Sequence, residues 1–420
     1  MESTLIKHNP HWNKVQLNLF ERDILPSLIA KLHLKHIHVL KGIRRSGKTT
    51  LFKLLIQHLC QAQTPQSILY VNLDDPFFTE LYQDSKHLYR LLELSEKITG
   101  QPVETLFLDE VQNVRGWEKF VKALYDNQTV NKIFITGSNS SLLDGEYAQL
   151  LSGRYISDTI YPLSFNEILK LNSIHSRLEL FSDKAKVLAL VDEQMHYGSF
   201  YEVLTEETHK RDIILSYYET LLLKDCIANN ALRDAKGFQE MAYFAISNST
   251  NLYSYNSLAK AVNSNDNTVK EYLRILEDSY ILNEIRPYAY SLKEQLRARK
   301  KLYISDNSFL AQTSFRFSKD QGKLFESLVY TELLKQGFEI YYFNKDFECD
   351  FIAQKNGKIY AFQVCYELNI HNLEREINGL KKLPITCQEK ILLVYDKPLF
   401  DIEEKDFTLA TYYEYFSQLN

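Results

Sequence analysis

Gly42-Ile43-Arg44-Arg45-Ser46-Gly47-Lys48-Thr49 fits the pattern G-x-x-x-x-G-K-[ST], and each residue type has a physical reason to stand where it does. Gly42 and Gly47 let the main chain curl, so that successive N–H groups across Ile43, Arg44, Arg45 and Ser46 point at a phosphate. A helix predicted over Lys48–Leu59 begins at the end of the loop, and its positive end faces the same phosphates. Lys48 has the reach for β- and γ-phosphates, Thr49 offers a hydroxyl to Mg²⁺, and Thr50 follows in the first turn. ATP and Mg²⁺ are the expected ligands.

A second run, Thr105-Leu-Phe-Leu-Asp109-Glu110, reads as a buried strand ending in two acids. Ligands of open α/β sheets bind at the C-terminal ends of the strands. Asp109 is placed to hold a Mg²⁺-bound water, and Glu110 to polarise the attacking water as general base. A third run, Ile135-Thr136-Gly137-Ser138-Asn139-Ser140, ends another strand in polar side chains. Thr136, Ser138 and Asn139 are candidates to sense the γ-phosphate; the same run also suits a turn with a helix N-cap. Arg154, in Leu151-Ser-Gly153-Arg154, is a candidate arginine finger for a neighbouring copy, which would make the chain a homo-oligomer.

The elements that must position these residues are legible as an alternation. Apolar runs at His36–Leu40, Ser67–Leu73, Glu104–Asp109, Lys132–Thr136 and Tyr155–Tyr161 alternate with helical patterns, the signature of a parallel sheet covered by helices. Apolar spacing around Leu17, Phe20, Ile24, Leu28 and Leu32 predicts a helix within residues 15–33, and another is predicted over Phe77–Ile98 with a break near Asp84. The pattern changes after Pro162. Residues 164–250 read as helical, residues 254–287 as a helix-turn-helix with a short hairpin, and residues 301–411 as mixed strands and helices. Three domains are expected: 1–162, 163–290 and 291–420.

At 420 residues the chain is too long for one hydrophobic core. Its net charge of −5 argues against a surface given over wholly to nucleic acid. Five scattered cysteines with no CxxC pair argue against a disulfide framework or a structural zinc site. With no apolar stretch of about 18 residues and no signal-like start, a cytoplasmic protein without a membrane span is expected.

Taken together, these runs resemble the AAA-type ATPases of bacteria and archaea that carry a C-terminal domain related to restriction endonucleases. The resemblance rests on Gly42–Thr50, Leu108-Asp-Glu-Val-Gln112, Thr136-Gly-Ser138, Gly153-Arg154 and Pro162-Leu-Ser-Phe-Asn-Glu167. It continues in Lys224-Asp225, Tyr303-Ile-Ser-Asp306, Leu324-Phe-Glu326-Ser-Leu-Val329 and Glu348-Cys-Asp350-Phe351. It implies an α/β ATPase core with helices on both sides of a parallel sheet, a helical and winged-helix middle, and an endonuclease-like mixed α/β end.

Two readings of the second half follow. In the helix Asp266–Ser279, the stripe Val269, Tyr272, Leu273, Leu276 and Tyr280 faces inward, and Asn267, Thr268, Lys270, Glu271 and Arg274 face outward. In the shorter helix Ser257–Val262, Leu258, Ala261 and Val262 face inward. The outward stripe, with the basic run Arg297-Ala-Arg299-Lys300-Lys301, could grip DNA; packing or protein contact is the alternative use. The C-terminal end places Glu326 on a helix and Asp350 on a strand, as a metal-dependent nuclease requires. The next strand, however, shows Gln363-Val364-Cys365 where an acid and a lysine belong, so cleavage is expected to be lost. The functional expectation is an ATP-driven conformational switch, with an ATP-regulated nucleic-acid-binding or signalling scaffold as the alternative.

Overall fold

The computed structural model describes residues 1–143, 149–289, 291–313, 320–345, 347–402 and 406–419. The chain divides into two compact units, Met1–Tyr161 and Pro162–Asn420. In the first, β1 (Ile37–Lys41), β2 (Ile68–Asn72), β3 (Thr105–Asp109), β4 (Lys132–Gly137) and β5 (Tyr155–Thr159) form a parallel sheet in the order β2-β3-β4-β1-β5. β1 to β4 are apolar at nearly every interior position because both faces are covered, whereas the edge strand β5 carries Ser157 and Asp158 and buries none of its residues.

Alternation along each strand sorts the side chains between the faces. Val39, Val71, Leu106, Leu108 and Ile135 pack on one side with Leu91, Trp117 and Phe120. Leu40, Tyr70, Phe107 and Phe134 pack on the other with Leu51, Phe52 and Leu55, from the helix Lys48–Leu59. There the Phe107 and Phe134 rings stack with centroids 4.3 Å apart, and Phe52 meets Phe107 edge-on at 5.0 Å. Because every strand is parallel, all their C-terminal ends lie on one edge. β4 separates β1 from β3, so the loop after β1 and the acids after β3 stand two strand spacings apart, about 10 Å.

Two expected helices come out differently. Within residues 15–33 only Leu25–Ala30 is α-helical, with Pro26 in its first turn, and another helix spans Glu2–His8. The stretch Phe77–Ile98 splits into 3₁₀ turns Pro76–Leu81 and Ser85–Leu88 before the helix Tyr89–Thr99. Asp75 and Asp84 cap the two turns by accepting from the N–H groups of Phe77 and Lys86, so short polar caps override the apolar period.

The second unit begins with helices, among them Phe165–Leu171, Lys184–Tyr197, Lys210–Thr220 and Ala235–Ser247. A small antiparallel sheet follows: β6 (Leu252–Tyr253), β7 (Leu282–Ile285) and β8 (Lys300–Ile304), in the order β6-β8-β7. Its central strand lies beyond residue 290, so this sheet runs across the boundary expected there. Between β6 and β7 stand the helices Tyr255–Ala261 and Asp266–Asp278. The longer buries Val269, Tyr272, Leu273, Ile275 and Leu276; Tyr280 lies past its end and is only half-buried. The shorter, capped by Ser254, buries Leu258 and Ala259 and leaves Ala261 exposed, because it starts two residues earlier than its apolar spacing suggests.

The last sheet is mixed, in the order β13-β12-β11-β10-β9: β9 (Glu339–Asn344), β10 (Glu348–Lys355), β11 (Lys358–Cys365), β12 (Glu389–Val394) and β13 (Thr408–Thr411). The helices Gln321–Lys335 and Leu373–Lys381 pack against β11. The five cysteines are all free thiols, and no helix among the described residues is long and apolar enough to cross a membrane.

Both tryptophans, Trp12 and Trp117, lie in the first unit, so tryptophan fluorescence reports its unfolding alone. Phe107→Ala, which empties the centre of the aromatic stack, should lower the stability of that unit by about 3–5 kcal/mol in urea unfolding followed by this signal. A loss below about 1 kcal/mol would show that the stack is not part of the core.

Candidate functional site

The loop between β1 and the helix Lys48–Leu59 holds three left-handed residues: Gly42 at φ 146°, Arg45 at 69° and Gly47 at 96°. A side chain at Gly42 would be strained by this torsion and would also place its Cβ 2.1 Å from the Ile160 carbonyl oxygen. Arg45 is exposed and adopts the left-handed region without being glycine. Ile43 is buried, whereas Arg44 is half-buried and pairs with Asp74 at 3.7 Å. The Ser46 hydroxyl is buried and has no partner among the described residues. Lys48 Nζ donates to the carbonyls of Gly42 at 2.9 Å and Ile43 at 3.1 Å, which holds the ammonium within the curl of the loop. Thr49 and Thr50 open the helix, both half-buried.

Arg22 was not anticipated from the sequence. It is buried and donates to the carbonyls of Ser46 at 2.8 Å and Tyr161 at 2.9 Å. Its guanidinium ties the loop to the chain that follows β5. No motif marks it, because it acts on main-chain carbonyls that any residue could supply.

Asp109 ends β3 almost wholly out of water. Its Oδ2 accepts from the Thr49 hydroxyl at 2.6 Å and the Tyr70 hydroxyl at 2.9 Å; its Oδ1 accepts from the Thr136 hydroxyl. Burial, reinforced by the neighbouring Glu110 charge, raises its pKa above the ordinary carboxylate range, against the opposing pull of the Thr136, Thr49 and Tyr70 hydroxyls. Glu110 takes a left-handed φ of 55° and opens the 3₁₀ turn Val111–Asn113. Its N–H donates to Thr136 Oγ1 at 2.9 Å, and its carboxylate accepts from Gln112 Nε2 at 2.5 Å. Of the candidates at the tip of β4, Thr136 therefore meets the Asp109 carboxylate and the main chain of Glu110. Ser138 is buried and accepts a long bond from Gln112 at 3.4 Å, and Asn139 stands half-buried in the following turn.

The structure brings Lys48, Thr49, Asp109, Glu110 and Thr136 to the C-terminal edge of the sheet, and adds Tyr70 and Gln112. Arg154 is not among them. It directly precedes β5, its carbonyl accepts from Ile37 N–H at 2.8 Å at the start of β1, and it therefore lies at the opposite edge. Its guanidinium pairs with Asp126 at 2.7 Å, which pulls the Asp126 carboxyl down to about 2.

In the second unit, the basic run Arg297–Lys301 does not form one exposed cluster. Arg297 and Arg299 are exposed, but Lys300 and Lys301 enter β8 and are buried. Lys300 Nζ sits 4.5 Å from the centre of the Tyr255 ring. Lys301 Nζ lies 3.3 Å from Glu326 Oε1 and 3.2 Å from Glu348 Oε1. The two lysines thus satisfy internal groups and are withdrawn from any ligand surface. Glu326, Glu348, Asp350 and Gln363 line an open cleft of about 1120 Å³. Burial, with the Glu326 charge beside it, pushes the Asp350 carboxyl well up.

Residues 34–169 match the AAA domain family, and residues 188–320 and 321–412 match two domains of unknown function, DUF8612 and DUF4143. An uncharacterized protein of Methanocaldococcus jannaschii is 31% identical over 378 residues, spanning 87% of this chain and 81% of that protein. An uncharacterized protein of Haemophilus influenzae is also 31% identical over 378 residues, spanning 87% of this chain and 92% of its own length. Among solved structures, the Orc1 protein of Aeropyrum pernix in complex with DNA aligns with 80% of this chain and 92% of its own, at 10% identity and a TM-score of 0.35.

The raised Asp109 pKa fixes a sign for stability. Where the unfolded chain has already ionised this carboxyl, the folded chain still holds its proton, so stability falls as pH rises from the ordinary carboxylate range toward the folded value. In metal-free buffer, Asp109→Asn should therefore raise the unfolding midpoint of the first unit at neutral pH, and the gain should vanish toward pH 4. Equal effects at both pH values would show that Asp109 is not held above its ordinary range.

Proposed function

We propose, for a chain that belongs to the family of AAA-domain proteins containing these Methanocaldococcus jannaschii and Haemophilus influenzae relatives, that it binds ATP with Mg²⁺ at Gly42–Thr50 and hydrolyses it. One observation carries this reading: the phosphate-type loop, the Thr49 hydroxyl and the Asp109 carboxylate converge at one edge of a parallel sheet, with Thr49 and Asp109 only 2.6 Å apart. The residues present fit the ligand. The left-handed torsions of Gly42 and Gly47 give the loop the curl that a phosphate cradle needs, and the orphaned Ser46 hydroxyl supplies one more polar group.

Within this reading, N–H groups of Ile43 to Thr50 cradle the phosphates, and Lys48 exchanges its loop carbonyls for phosphate oxygens. Thr49 and Asp109 hold Mg²⁺, which neutralises phosphate charge when bound. Glu110 accepts the proton of the attacking water. Thr136 links the Asp109 carboxylate to the Glu110 main chain, so movement at the phosphates reaches the β4 tip, where Ser138 and Asn139 serve as sensors. Arg154 acts in a neighbouring copy of a homo-oligomer, once its guanidinium leaves Asp126. The nucleotide state is relayed as a conformational switch to residues 162–420, where residues 252–304 form a winged helix-turn-helix and the last sheet an endonuclease-like fold.

A second reading, an ATP-regulated scaffold on DNA, is favoured by the exposed Asn267, Lys270 and Arg274 on one helix face. It is weakened by the exposed Glu271 between them, by the Asp278 carboxylate 3.7 Å from Arg274, and by the burial of Lys300 and Lys301.

Steady-state hydrolysis of Mg-ATP, with and without DNA, tests both. Lys48→Ala should abolish nucleotide binding and turnover together. Glu110→Gln should keep ATP bound but lower kcat by about 10²–10⁴-fold. Stimulation by DNA in the wild type would promote the second reading. ATP bound without turnover in the wild type would remove the hydrolytic mechanism and leave a nucleotide-gated scaffold.

A further inference from the structure

The cleft of the second unit poses an electrostatic problem independent of the ATPase reading. Glu326 rises from the helix Gln321–Lys335, while Glu348 and Asp350 come from the start of β10. Three carboxylates lining one cleft, with Asp350 buried, repel one another and normally call for a cation. The cation is supplied from within. Lys301, the second residue of β8, is only 3% exposed, and its ammonium stands 3.3 Å from Glu326 and 3.2 Å from Glu348. The Asp350 charge also bears on that ammonium. Tyr303, two residues on along the same strand and so on the same face, donates its hydroxyl to the same Glu326 oxygen. Both of these donors to Glu326 therefore come from one strand, and Oε1 is already doubly engaged.

Asp350 has its own anchor. Its Oδ2 accepts from the Val364 N–H at 2.9 Å. Gln363, in the residue before, is buried in the same cleft; its Nε2 donates to Glu376 at 2.7 Å, and its Oε1 has no partner among the described residues. No group of three His, Cys, Asp or Glu among the described residues is arranged to hold a metal ion. Glu326 and Glu348 both meet the ammonium, and Asp350 lines the same cleft. A divalent ion would have to enter against the Lys301 charge at contact distance and strip it of its partners.

We infer that Glu326, Glu348 and Asp350 form a cation site whose resident cation is the protein's own Lys301 ammonium, and that this ammonium excludes divalent metal ions. Removing the ammonium without filling its volume by another charge converts the cluster into a divalent-cation site, with Gln363 Oε1 as a further oxygen ligand. The lysine missing from Cys365 is thus not simply lost: a lysine reaches Glu326 and Glu348 from another strand.

The test is Mn²⁺ binding to the full chain, nucleotide-free and stripped with chelator, followed by the free-Mn²⁺ electron paramagnetic resonance signal. Wild type and Lys301→Arg should show no site that Glu326→Gln removes. Lys301→Met should gain one site per chain, at least tenfold tighter than any wild-type binding, and Lys301→Met combined with Glu326→Gln should lose it. Lys301→Met leaves the half-buried Glu326 and the buried Asp350 without a neighbouring cation, so its folding is followed by circular dichroism with and without millimolar Mn²⁺; recovery of structure by Mn²⁺ is the expected companion result. A Glu326-dependent site in the wild type would overturn the inference. So would a folded Lys301→Met with no new site, or a Lys301→Met that stays unfolded when Mn²⁺ is present.

Discussion

A carboxylate buried at the end of a strand constrains almost everything around it. Asp109 has nearly no access to water, and an unsatisfied charge there would cost more than the chain could sustain. Three hydroxyls meet it, from Thr49, Tyr70 and Thr136. They come from the helix after β1, from β2 and from β4, so the acid is satisfied only if β2 and β4 flank β3 and the helix returns across β4. That is the strand order found, β2-β3-β4-β1. Neutral donors suit such a position. Hydroxyls stabilise the charge but rotate away at little expense, whereas a lysine or arginine there would hold it permanently.

The loop is shaped in the same way, by neighbours as much as by its own residues. Gly42 is required where the Ile160 carbonyl passes, and Arg22 clamps both Ser46 and Tyr161. Arg45 and Glu110 adopt left-handed torsions without being glycine, and both lie at the edge where the acids and the loop meet. Backbone strain at such positions persists only when the surroundings hold it. Here they do: the Glu110 N–H is fixed on Thr136, and its carboxylate on Gln112.

What could be read from the sequence follows from what is local. The torsions of Gly42–Thr49 and the apolar run before Asp109 are local, and both were legible, as was the parallel sheet. Which of Thr136, Ser138 and Asn139 reaches the acids depends on the register of β3 against β4. With Leu108 opposite Ile135, Thr136 falls level with Asp109, and nothing in either strand alone states this. Arg22 recognises carbonyls and leaves no pattern. The run Arg297–Lys301 looked like a surface cluster because composition shows charge but not burial; its last two residues belong to a strand enclosed on both faces. Residues 15–33 carried a helical spacing that the chain uses for only six residues, because apolar side chains can also be buried from extended chain.

The two acid clusters, one in each unit, solve one physical problem in opposite ways. Around Asp109 the carboxyl is met by neutral hydroxyls, which leave it able to ionise when a cation takes their place. Around Glu326 and Glu348 it is met by an ammonium, which cancels charge and fills space at once. A site of the first kind leaves its acid open to a metal, as the proposed function requires; a site of the second is complete as built. If chemistry belongs to the first unit, the second is left free to answer it through shape, and its buried polar contacts suit that role. Asp306 accepts from Ser199 and Ser308 and leaves no room for a side chain at Gly198, while Glu332 gathers Phe165, Gln194 and Lys335. Such contacts are made or broken as wholes, because a half-satisfied buried acid is unstable. Contacts of that kind favour discrete arrangements over graded ones, which is what the relay of nucleotide state proposed above would require.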